Sequence, residues 1–191
     1  ISDDGEILVK GPSVMRGYYG RPLDTAQAFT PDGWFRTGDA GYFNADGALV
    51  LTDRIKDLFK TSNGKYVAPQ AIEARLATDP VFEQIALIGD ERKFVSALIV
   101  PDKSLVEEYA RENGITAESY DELVGDERIH SWIEGKIKAL TASFARHEKI
   151  KRFTLLPSPF TIENGELTNT LKVRRRVVLE HYAKHIERMY E

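Results

Sequence analysis

Eight of the chain's fourteen glycines fall within its first forty-seven residues: Gly5, Gly11, Gly17, Gly20, Gly33, Gly38, Gly41 and Gly47. Turns that dense predict short strands and loops and argue against helices. Glu6 to Lys10 reads as a strand. Tyr42-Phe43 and Ala48 to Leu51 read as two more, joined by Asn44-Ala45-Asp46-Gly47, whose Asp-Gly pair marks a hairpin. After Asp53 the texture changes. Pro69 suits the first turn of a helix, with Ile72 and Leu76 four apart on one face behind it. Gln84 to Ile88 and Phe94 to Val100 are apolar, β-branched runs on either side of a turn, which predicts a strand pair with a buried face. Leu105, Val106 and Tyr109 form a helical stripe that Gly114 closes, and Ile129, Trp132, Ile133, Ile137, Leu140 and Phe144 keep helical spacing. Phe153 to Leu156 predicts a short strand. Val173, Val177, Val178, Tyr182, Ile186 and Met189 predict the inner face of one final helix. The fold class is therefore α+β, with its boundary at Asp53-Arg54-Ile55-Lys56-Asp57.

Composition narrows the function. The 191 residues carry 26 Lys and Arg against 30 Asp and Glu, so the net charge of −4 gives no general attraction to nucleic acid. A hydrophobic fraction of 42% excludes disorder, and a body of this size buries roughly 70% of its unfolded surface. No apolar run approaches the ~20 residues that cross a bilayer. Without cysteine there is no disulfide, no thiolate nucleophile and no thiolate metal ligand, a pattern that fits a reducing cytoplasm. The chain opens at Ile1, straight into a strand, and reads as beginning inside a longer polypeptide.

Several short segments have the chemistry for a nucleotide or phosphate. Asp39, in Thr37-Gly38-Asp39, offers a glycine-flanked loop carboxylate that accepts hydrogen bonds from a vicinal diol or steadies a turn. Arg54 and Lys56 form a mixed-charge cluster with Asp53 and Asp57 that is either a site or solvated surface. Ser62-Asn63-Gly64-Lys65, after Phe59-Lys60, is a donor-rich loop without P-loop spacing. Lys172 extends a point charge toward an anion, or is solvated with Arg174, Arg175 and Arg176 beside it. His130, His147, His181 and His185 show no metal or triad spacing, and no carboxylate partner is evident for the 181/185 pair.

The order of these segments resembles the adenylate-forming acyl-CoA synthetases. It runs through Gly5-Glu6-Ile7-Leu8-Val9-Lys10-Gly11, Gly17-Tyr18-Tyr19, Trp34-Phe35-Arg36-Thr37-Gly38-Asp39, Asp53-Arg54-Ile55-Lys56-Asp57-Leu58 and Leu167-Thr168-Asn169-Thr170-Leu171-Lys172-Val173-Arg174-Arg175-Arg176, and spans the chain. Lys56 in the linker and the helical stretch from Lys103 to Phe144 resemble the long-chain fatty acyl-CoA ligases. Asn169 stands where that family usually has proline.

The resemblance implies residues 1–53 as the end of a large N-terminal domain with the ribose motif. It implies residues 54–191 as a mobile C-terminal domain, a short sheet flanked by helices, with a hinge at 54–58 and a catalytic-lysine loop at 167–173. It implies ATP, fatty acid and CoA as substrates, with acyl-AMP between them. Lys172 would be catalytic. Asp39, Arg54 and Lys60 would bind nucleotide, Lys56 would be the hinge, and Gly64, Lys65 and Tyr66 would line the CoA channel. Mg ligands would lie outside the chain, and the chain alone would be inactive. Localisation would be cytoplasmic, with peripheral contact at the inner face of a membrane left open. The alternatives are an adenylate-forming enzyme of other acyl specificity or of carrier-protein-loading type, and a non-catalytic nucleotide- or partner-binding module.

Overall fold

The computed structural model describes residues 1–191 and divides into two compact units, Ile1–Phe59 with Ala68–Ala71, and Lys60–Val67 with Ile72–Glu191. Its architecture is α+β.

In the first unit, β1 (Glu6–Val9), β2 (Phe35–Phe43) and β3 (Leu49–Arg54) form an antiparallel sheet in that order. The β2–β3 turn closes because Asn44 Oδ1 accepts the N–H groups of Asp46 and Ala48 at 3.0 and 2.8 Å. A bulge after Ala40 brings Gly41 against β3, where a Cβ would meet the Val50 carbonyl oxygen at 2.4 Å, so no side chain fits there. Two expectations fail in this unit. A helix, α1 (Pro22–Ala28), does form; it buries nothing and so leaves no apolar period to read, while Pro22 presets its first turn. The second failure is Asp39, which lies within a nine-residue strand and not on a loop.

A two-stranded ribbon, β4 (Phe59–Lys60) with β5 (Tyr66–Val67), precedes α2 (Pro69–Leu76). In the second unit β6 (Phe82–Ile88) and β7 (Val95–Pro101) pair antiparallel, and β8 (Ile150–Leu155) joins the other edge of β7 in parallel. A parallel partner demands a long crossover. It consists of α3 (Lys103–Glu112), α4 (Tyr120–Gly125) and α5 (Glu127–Leu140), so the helical stretch from Lys103 is three helices that end before Phe144. Asp102, Ser119 and Asp126 each cap one of them with a side-chain oxygen. Ile129, Ile133 and Ile137 bury one face of α5.

Ile88, Leu98, Val100, Leu156, Phe160, Val178, Ile186 and Met189 meet in one core. The single final helix predicted from Val173 to Met189 is a second correction. Val173 pairs with Leu167 in an isolated bridge, and the helix breaks at Tyr182 into α6 (Arg175–His181) and α7 (Ala183–Tyr190). The break lets both short helices turn apolar residues into that core. No helix is long and apolar enough to cross a membrane.

Candidate functional site

Within the first unit the cross-strand register places Asp39 directly opposite Arg54, and Arg54 Nε lies 3.0 Å from Asp39 Oδ1. Both side chains reach solvent, so the pair contributes at most about 1 kcal/mol to stability. On β1, the other neighbour of β2, lies a residue that motif order does not single out. Glu6, 3% exposed, accepts Arg36 Nε at 2.8 Å and the Gly38 N–H at 2.9 Å. Thr37 donates to the Ile7 carbonyl at 2.7 Å and accepts the Asp39 N–H at 3.1 Å. The backbone just before Asp39 is thus fastened to β1 on both sides. Only the burial of a carboxylate, invisible in a strand-like sequence, marks Glu6 as special.

Lys56 is exposed in a short 3-10 turn, Ile55–Asp57. Its flanking carboxylates do not pair with it. Gln70 donates its N–H to Asp53 Oδ2 at 3.2 Å and its side-chain amide to Asp57 Oδ2 at 3.3 Å.

In the second unit Thr61 ties the β4–β5 turn together. Its N–H donates to the Lys65 carbonyl at 2.9 Å, its carbonyl accepts the Gly64 N–H at 2.8 Å, and its hydroxyl accepts the Lys65 N–H at 3.3 Å. Gly64 has φ +76°, a conformation that L side chains rarely adopt. Lys60 Nζ sits 5.2 Å from the centre of the Tyr66 ring. Beside this turn a groove of about 390 Å³ is lined by Lys65, Lys93, Arg146, His147, Lys149 and Lys151, with no carboxylate in its wall. Of its lysines and arginines the sequence points to Lys65 alone, because the others come from two distant segments and show no common spacing. The structure therefore gathers Lys60, Gly64, Lys65 and Tyr66 on one ribbon and adds a cationic wall to it.

Lys172 stands apart on its own loop, Leu167 to Val173, closed by the Leu167–Val173 bridge. Thr168 organises it: its N–H donates to the Lys172 carbonyl at 2.8 Å, its carbonyl accepts the Leu171 N–H at 2.9 Å, and its hydroxyl accepts the Lys172 N–H at 3.0 Å. Leu171 takes a left-handed φ of +59°, a strained conformation for a leucine. Of the arginines expected to be solvated with it, Arg175 is not. It pairs with Glu73, and its Nε donates to the Leu87 carbonyl at 3.1 Å.

The histidine reading also changes. His181 has a carboxylate partner, Glu166, at 3.0 Å. Burial alone would raise the Glu166 carboxyl, but the hydrogen bonds from His181 and the Thr161 N–H bring it below its ordinary value. His130 stacks on Phe153 at 4.1 Å, and burial lowers its pKa. No three His, Asp or Glu side chains converge on a metal-ligating group.

Residues 56–191 match the AMP-binding enzyme C-terminal domain. The chain is 40% identical over its full length to the long-chain-fatty-acid–CoA ligase FadD15 of Mycobacterium tuberculosis, covering 32% of that protein. It is 37% identical over 97% of its length to long-chain-fatty-acid–CoA ligase 1 of Schizosaccharomyces pombe, covering 28% of that protein. Among solved structures it is similar to the adenylation domain of a carboxylic acid reductase from Segniliparus rugosus, in complex with AMP and a co-purified carboxylic acid. There the TM-score is 0.69 and the identity 30%, over 97% of this chain and 28% of that one. The chain belongs to the AMP-binding enzyme C-terminal domain family. Its full-length relatives include long-chain-fatty-acid–CoA ligases, and it spans about a third of their length.

Proposed function

We propose that this chain is the C-terminal part of a long-chain-fatty-acid–CoA ligase, which joins a fatty acid to CoA as ATP is cleaved to AMP and pyrophosphate. The observation that carries this reading is the Asp39–Arg54 pair, with a carboxylate and a guanidinium 3.0 Å apart across the β2–β3 pairing and both reaching solvent, suited to a ribose diol. Residues 1–53 would end the large domain. Residues 54–191 would form a mobile domain turning about Lys56, which sits exposed between two side chains tethered to Gln70.

In the first half-reaction a fatty carboxylate oxygen attacks the α-phosphorus and pyrophosphate leaves. Negative charge grows on the phosphoryl oxygens, and the Lys172 ammonium offsets it. Asp39 and Arg54 hold the ribose hydroxyls, which fixes the adenosine in place. In the second, the CoA sulfur attacks the acyl carbonyl carbon, its proton passes to solvent and AMP leaves. Gly64, Lys65 and Tyr66 line the pantetheine channel and Lys60 meets phosphate. The groove behind Lys65 has the charge to receive the CoA phosphates. Mg ligands would belong to residues beyond these 191, as would the acyl pocket, and the chain alone is inactive.

In the intact ligase, Lys172→Ala should cut ATP–pyrophosphate exchange about 10²–10³-fold and leave thioester formation from supplied acyl-adenylate nearly intact. Equal losses in both half-reactions would overturn the assignment, and exchange catalysed by the 191-residue chain alone would overturn its inactivity. A second reading, transfer of the acyl group to a carrier protein, draws on the likeness to the reductase adenylation domain. Lys149→Glu with Lys151→Glu separates the two, because a CoA ligase loses CoA affinity and keeps its exchange rate.

A further inference from the structure

Thr168 makes the Lys172 loop rigid within itself, yet those bonds do not fix it to the domain. Its base does. The Arg174 N–H donates to the Glu166 carbonyl at 2.7 Å, and the N–H groups of Glu166 and Leu167 both donate to the Thr161 carbonyl, at 3.0 and 3.1 Å. The Glu166 side chain makes two further links. Oε2 accepts the Thr161 N–H at 3.0 Å, and Oε1 lies 3.0 Å from His181 Nδ1. An ionised carboxylate only accepts, so the His181 nitrogen is the donor. Thr161 precedes the loop and His181 ends α6, the helix that follows it. One carboxylate therefore clamps the segment before Lys172 to the helix after it.

Packing does not call for a charge here. Glu166 is 2% exposed between the core residues Phe160 and Leu167, where an apolar side chain avoids the desolvation cost. What a carboxylate offers and a leucine does not is two directed bonds to two segments.

We propose that Glu166, with His181, is the positioning pair that sets where Lys172 stands during adenylation. This rests on the catalytic reading of Lys172. A displacement of about 1 Å at a reacting group costs on the order of 10²-fold in rate, and the strained Leu171 beside Lys172 needs a fixed base to persist.

Two mild variants test it. His181→Ala removes a side chain that is 45% exposed, so the core stays packed, and Glu166→Gln keeps the shape without the charge. In the intact ligase each should lower the adenylation kcat about tenfold. The KM for ATP should stay within about twofold and thioester formation from supplied acyl-adenylate should be unchanged. His181→Asn, whose amide nitrogen stands in for Nδ1, should recover most of the loss. In the 191-residue chain, His181→Ala should speed amide exchange at Lys172 and Arg174 about tenfold while Leu98 and Ile99 keep wild-type protection. Unchanged adenylation in both variants, a parallel fall in both half-reactions, or equal deprotection of β7 would overturn the proposal. If Lys172→Ala itself leaves adenylation intact, the catalytic reading is what fails, and amide exchange still reports separately whether the pair holds the loop.

Discussion

The two three-stranded sheets of this chain are built on opposite terms. Every residue of β7 is buried, whereas none of the six residues of β3 is, and Tyr42, Phe43, Leu49 and Leu51 stay exposed on the first sheet. The second sheet is held by apolar burial on both faces. The first relies on backbone pairing, a glycine contact at Gly41 and the bonds of Glu6. Yet the segment proposed as functional in each unit is held in the same way. Glu6 links the backbone before Asp39 to β1, and the Glu166 side chain links the segment before the Lys172 loop to the helix after it. Hydrophobic burial fixes the platform, and directed bonds to a buried carboxylate fix the residues that stand on it.

That contrast can be broken by measurement. The largest effect belongs to the core: Leu98→Ala should cost about 2–5 kcal/mol in urea unfolding, and a loss below 1 would mean that β7 is not the keystone. Glu73→Ala comes next. It leaves the half-buried Arg175 guanidinium without its carboxylate and the Leu87 N–H without its acceptor, and should cost about 1–3 kcal/mol. Leu51→Ser on the exposed sheet should stay within about 0.5 kcal/mol. A cost like that of Leu98 would erase the distinction between the sheets. The smallest effect concerns Asp126, whose carboxyl is lowered from 3.8 to about 2, first by the Arg128 side chain and then by the Arg128 N–H. A lowered carboxylate stabilises the fold fully above its unfolded value and loses that contribution as the pH falls from 3.8 toward 2. Asp126→Asn should flatten the stability curve in that window by lowering stability slightly at neutral pH, where the carboxylate contributes fully, and leaving it unchanged below about pH 2.

Strands and helices that bury a face were readable because burial imposes a period. Ile129, Ile133 and Ile137 announced α5, and the apolar runs announced β6 and β7. Elements that bury nothing, such as α1, left no such trace. Motif order pointed to Asp39, Arg54 and Lys172, since each lies in a short recognisable string. Glu6, Glu166 and the wall of Lys93, Arg146, Lys149 and Lys151 escaped notice. Their significance comes from neighbours distant in the chain, and single letters carry no record of that. The break at Tyr182 was hidden for a related reason: the apolar period runs through it while the backbone departs.

The parallel pairing of Val95 with Ile150 also orders events in time. The β6–β7 hairpin closes a short loop and forms early, while β8 must wait for three helices to be laid down before it reaches its register. Until then β7 offers an apolar, unpaired edge to any other strand it meets. Nascent chains should therefore be most open to aggregation in the interval between the emergence of β7 and the arrival of β8.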